Sequence, residues 1–130
     1  MNTAATHPLL SRTSVRLAYG VLAVLLGGAL LAVLLAPGGG GWQALGFAIA
    51  PDIALLPGMS PGLARGQLHP RAVPLYNALH HWAGPILLGV ASVVWFGLPW
   101  LAGALAWALH IAVDRVAGYG PRTAEGFQRA

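Results

Sequence analysis

The sequence predicts an all-α integral membrane protein, a bundle of four transmembrane helices. Three observations lead there. Hydrophobic residues make up 57% of the chain and charged residues 8%, with a mean hydropathy of +0.69. A soluble domain carries about 25% charged residues to cover itself with groups that water solvates. Seven basic residues, all Arg, and three acids cannot do that, so the apolar surface must face lipid. The Arg residues are also unevenly placed: Arg12 and Arg16, then Arg65 and Arg71, then Arg115, Arg122 and Arg129. In a four-span topology every one of them falls on the same side, which the positive-inside rule makes cytoplasmic. Finally, Trp42, Trp95 and Trp100 all fall at the opposite interface, where an aromatic belt belongs.

The elements follow in order. Residues 1–14 are polar and irregular, with Pro8, and read as a cytosolic tail. Residues 17–36 form an uncharged run of the length that crosses roughly 30 Å of hydrocarbon. The run is longer than the apolar stretch of a signal peptide, and further spans follow it. Pro37 and Gly38 to Gly41 break the helix. Residues 42–57 form a short second span, interrupted at Pro51-Asp52. Residues 58–71 are a loop. Residues 72–96 and 98–118 are the third and fourth spans, with Pro99 suited to a first helical turn. Residues 119–130 read as a polar tail. The whole, residues 1–130, is expected to be one transmembrane domain of the bacterial cytoplasmic (inner) membrane, multi-pass, with both termini cytoplasmic. A three-span arrangement with a re-entrant second segment is the alternative.

Other classes are excluded or left without support. The absence of Cys removes disulfides and thiolate metal sites. The basic balance, pI near 10.8, reads as Arg flanking membrane spans. No basic stripe with interleaved aromatics points to nucleic acid. The expected partner is the lipid bilayer, with a homo-oligomer or a partner membrane protein left open.

Within the spans, Asp52, His80, His81, His110 and Asp114 stand out, because ionisable groups at membrane depth are costly and mark candidate sites. At 1.5 Å per residue, Asp52, His80, His110 and Asp114 lie about 8, 12, 12 and 6 Å from the cytoplasmic end of their spans. All four therefore share one layer. His110 and Asp114, four apart, stack on one face of the fourth helix, and Tyr76 and Asn77 share a face with His80 on the third. Gly84, Gly103 and Gly118 would let helices approach closely. Pro51 and Pro85 would free the carbonyls of Phe47 and His81.

Two His and two Asp suit a divalent Zn, Mn or Fe. Asp52, His80, His110 and Asp114 are the candidate metal ligands. Tyr76, Asn77 and His81 are expected behind them, orienting the His rings. Arg71 and Arg115 are the candidates for holding a headgroup. A second reading makes the same Asp–His–Asn network purely structural, and a third passes protons or cations through it. No residue is assigned a catalytic role.

At Pro51-Asp52, Tyr76-Asn77-x-x-His80, Pro85 and His110-x-x-x-Asp114-Arg115-x-x-Gly118-Tyr119-Gly120, the chain resembles an uncharacterised family of small bacterial four-helix integral membrane proteins. That family often continues past the Gly-Tyr-Gly with a Lys-containing stretch and a terminal Thr-His-Leu-Gly. Here Pro121-Arg122 follows, so any role of that last His is absent or moved. The same order of motifs is distantly similar to membrane-bound metal-dependent hydrolases. That resemblance implies a metal-dependent hydrolase acting on a lipid or amphipathic substrate. The larger family's extra His-Arg pair has no good counterpart here, His69 being the nearest.

Overall fold

The computed structural model describes residues 12–129. The expected N-terminal tail lies outside the described residues as far as position 11; from Arg12 onward the chain is already helical. The architecture is all-α. α1 (Arg12–Leu35) and α6 (Leu98–Ala117) are the two long helices. Between them lie α2 (Gly41–Ile49), a 3-10 turn (Ala50–Ala54), α3 (Leu55–Gly58), a 3-10 turn (Pro70–Ala72), α4 (Val73–Leu79), α5 (Ala83–Ala91) and a π turn (Ser92–Phe96).

α6 is the axis of the bundle. Ala102, Gly103, Ala104, Ala106, Ile111 and Ala112 are buried on it, and small side chains of this kind let helix backbones close up where no hydrophobic effect drives association. α1 packs antiparallel to it. Near one end the Arg16 side chain donates to the Val116 carbonyl at 2.6 Å, and near the other Leu30 and Val33 pack on Ala102 and Ala106. α1 has no fully buried residue: Leu22 and Leu26 are half-buried toward α5 and α6, while Leu17, Val21, Val24, Leu25, Leu31 and Leu35 are exposed. α2 runs alongside α6 in the same direction. Gly40 sits against the backbone of Pro99, where any Cβ would collide, and Phe47 fits into the notch left by Gly103. Trp42, Trp95 and Trp100 are exposed at the end of the bundle where α2 and α6 begin.

Two of the expected spans are not continuous helices. The second is α-helical only to Ile49. Pro51 has no N–H to continue the α ladder, and the chain tightens into a 3-10 turn. The third breaks at residues 80–82, between α4 and α5, with a 42° bend. Two helices, α1 and α6, are therefore long and apolar enough to cross a membrane, and a third crossing is counted if the bent pair Pro70–Leu79 and Ala83–Phe96 acts as one.

The segment after α6 is not a loose tail. Gly118, in the left-handed region at φ 93°, ends the helix. Residues 119–129 then fold back in a small hairpin, with Thr123 N–H donating to the Phe127 carbonyl at 2.8 Å. This hairpin is laced to the 58–72 connection. Leu68 N–H donates to the Gly126 carbonyl at 2.9 Å, and the Gln67 side chain to the Glu125 carbonyl at 2.8 Å. Beneath it lies a buried cluster of Ala54, Leu68, Ala72 and Tyr76.

Candidate metal centre

Two breaks in the chain and one helix face bring four side chains to one point. The Pro51 turn carries Asp52, the end of α4 carries His80, and one face of α6 carries His110 and Asp114. Their ligand atoms all lie within 4.8 Å of one another, a group that could hold a metal ion. His80 Nε2 lies 3.2 Å from Asp114 Oδ2 and 3.6 Å from Asp52 Oδ1, and His110 Nε2 lies 3.5 and 3.4 Å from the same two oxygens. Neighbouring ligands held at 2.0–2.2 Å from one ion stand roughly 2.8–3.6 Å apart, so the four His–Asp spacings fit.

The His tautomers are set from behind. His80 Nδ1 faces the Tyr76 carbonyl at 2.8 Å, and His110 Nδ1 faces the Ala48 carbonyl at 2.9 Å. A carbonyl only accepts, so each Nδ1 must carry the proton, and in the neutral ring the Nε2 lone pair points into the cluster. Both Nε2 atoms are buried without a hydrogen-bond partner among the described residues. Two lone pairs and two carboxylates thus converge on one point. Buried polar atoms are seldom left in this state, and a divalent cation would satisfy all four.

The local sequence explains the placement. The Ala48 carbonyl lies where α2 gives way to the 3-10 turn before Asp52. His80 ends α4 in a non-helical conformation, φ −100° and ψ 14°, and the break exposes carbonyls at membrane depth that must find donors. Trp107 Nε1 donates to the Leu79 carbonyl at 2.7 Å and Arg115 Nη2 to the His80 carbonyl at 3.2 Å. The carbonyls that call for side-chain donors are thus at 79 and 80; that of His81 is taken by Gly84 N–H. Gly84 is where the Trp107 ring lies, and a Cβ there would overlap it.

His80 is also braced through its ring. It stacks on Tyr76 with centroids 4.0 Å apart, and the Arg122 guanidinium sits over the Tyr76 ring at 4.8 Å. Asn77 does not reach the imidazoles. Its amide pairs with the backbone of Arg122, donating to the carbonyl at 3.0 Å and accepting from N–H at 2.7 Å. His81 is exposed, turned away, and its Nδ1 accepts from Ala83 N–H. Arg115 is committed to the carbonyls of Tyr119 and His80, and exposed Arg71 lies at the start of α4. Sequence reasoning missed Arg122 and the hydrogen bond of Trp107. Arg122 carries no local signal, and only the broken helix calls for Trp107.

Burial grades across the site. The side chain of His80 is 2% exposed, His110 12%, Asp114 22% and Asp52 48%, so the cluster is reached from the Asp52 side.

No curated protein and no solved structure matches the chain. Residues 21–130 do match a family described as a domain of unknown function, DUF4260. That span takes in all four clustered side chains and most of the sequence, and the chain belongs to this family.

Proposed function

We propose that this chain is a membrane-embedded metal-dependent hydrolase acting on a lipid or amphipathic ester or phosphodiester. It forms a single transmembrane domain of the bacterial inner membrane, crossing four times with both termini in the cytoplasm and the site opening toward that side. The observation that carries the reading is the convergence of two unpartnered Nε2 atoms with two carboxylates from three separate elements.

A bound Zn, Mn or Fe ion would lower the pKa of a water to near neutrality and polarise the scissile group. Asp52, His80, His110 and Asp114 hold it; the carbonyls of Tyr76 and Ala48 orient the two rings. Water adds across the substrate bond: its oxygen goes to the acyl carbon or phosphorus, the bond to the leaving alkoxide breaks, and a proton ends on the departing alcohol. Arg71, exposed in the 3-10 turn before α4, is the candidate cation for an anionic headgroup.

Metal analysis of detergent-purified protein tests the centre. Wild type should carry a divalent ion, and His110→Ala and His80→Ala should lose it. Metal-free wild type, or unchanged metal in His110→Ala, would overturn the reading. A structural network is the second reading, favoured by the 3.2 Å approach of His80 Nε2 to Asp114 if the ring is protonated. It expects Asp114→Asn to lower thermal stability while leaving metal content at background in both proteins. Passage of protons or cations has weaker support. Of the outer polar residues, Ser92 already donates to the Leu88 carbonyl at 2.6 Å.

A further inference from the structure

A groove of about 550 Å³ starts at His110 and Asp114 and runs between α1, α2 and α6. Its polar atoms are confined to that end. The walls beyond are apolar: Leu30 from α1, Leu45 from α2, and Ala106 and Val113 from α6. From Asp114 to Ala106 it extends about 12 Å along the helix axis at 1.5 Å per residue. The volume lies within the roughly 300–1,000 Å³ of small-molecule sites.

The direction of the groove is informative. It parallels α6, a helix long and apolar enough to cross a membrane. It leads from the metal-ligand layer toward the end of the bundle that carries the exposed Trp residues. A lipid chain in a bilayer lies along the same axis, with its polar group at the level of the interface. Ala44, Ala48 and Ala106 form the trough, and their short side chains leave its depth empty. α1, the far wall, exposes Leu31, Leu34 and Leu35 beside Leu30, an apolar surface of the kind a bilayer would cover.

We infer that this groove holds a hydrocarbon chain of the substrate, so that the substrate is a lipid whose ester or phosphate sits on the Asp52–His80–His110–Asp114 centre with its chain between α1, α2 and α6. The inference rests on the metal-centre reading and assigns that site its substrate class. The chain in the groove also shields His110 from water, which strengthens electrostatic interactions at the reacting group.

The test uses the full chain in lipid nanodiscs and dodecyl phosphate bearing a mid-chain diazirine. Metal content is measured on the same samples. Photolabelling should fall on Leu45 and Leu109 about tenfold above Val24 and Leu25 on the outer face of α1, the factor expected for 1.4 kcal/mol of preference. Excess methyl phosphate should compete poorly, and metal removal by chelation should reduce the groove label. Leu45→Trp and Val113→Trp fill the groove from opposite walls at exposed positions, so both should keep their metal and lose the label at Leu109. Label no greater in the groove than on α1, or unchanged in both filled variants or after chelation, overturns the proposal while metal content still reports on the centre. Metal-free wild type overturns the centre itself, and the proposal with it. A groove covered by a second copy would give disulfide-linked dimers of Val113→Cys and no lipid label, which also overturns it.

Discussion

His80 is held by several contacts at once. One carbonyl takes both its backbone N–H and its Nδ1–H, a phenol ring covers one face, and Arg115 holds its own carbonyl. Partners of this kind typically change metal affinity 10–100-fold when removed. Tyr76→Ala keeps the carbonyl but removes the ring over the imidazole, so it is expected to weaken zinc binding at the low end of that range, roughly tenfold, and Arg122→Ala by less. Tyr76→Phe, which keeps both ring and carbonyl, should stay near wild type. Competition titration against a zinc chelator reads all three, and a Tyr76→Ala affinity equal to wild type would remove the positioning role. The four clustered residues were legible in the sequence because the chain has so few ionisable groups and places them at one depth. Their supports were not. Asn77 meets Arg122 across 45 residues and Arg115 meets His80 across 35, and no local pattern encodes such pairs.

At the scale of elements, the breaks do the positioning. Pro51 and Pro85 announced irregularity in the second and third segments, and hydrophobic length alone could not say how much. The α4–α5 break falls at residues 80–82, where it is held by Trp107 and Arg115 rather than by a simple proline kink. Trp107→Phe retains the ring stacked near Phe47 but leaves the Leu79 carbonyl without its donor. That should cost about 1–3 kcal/mol, the penalty for a buried group left unsatisfied. Gly84→Ala, which drives a methyl into the same ring, should cost about 1–3 kcal/mol by overpacking. Thermal unfolding in detergent checks both, and the two losses should not add, since both act on one contact. Gly118, expected at a helix seam, instead closes α6 in the left-handed region. Gly84 and Gly103 do sit at close approaches, to Trp107 and Phe47.

For the whole molecule, the direction of the helices follows the Arg distribution. The ends of α1 and α6 that carry Arg16 and Arg115 lie together, and the exposed Trp residues lie at the other end. What composition could not reveal was the hairpin of residues 119–129, which reads as a polar tail but ties its Arg122 side chain and the carbonyls of residues 125 and 126 to the 58–72 connection. The chain has no Cys, so single-Cys variants can map its topology without background. Arg65→Cys and Ala124→Cys should react with a membrane-impermeant maleimide only from the cytoplasmic side, and Pro37→Cys only from the other. Labelling of positions 37 and 65 from the same side would rule out the four-crossing arrangement.

The hairpin bears on how the protein is made. Ligands at positions 52 and 80 are inserted well before those at 110 and 114, and the brace on His80 comes from Arg122, later still. The cluster can therefore assemble only after α6 has left the ribosome, and its brace only after Arg122 has followed. A nascent chain halted after α5 would hold one Asp and one His of the four, so on the metal-centre reading an ion would be retained only once α6 is in place.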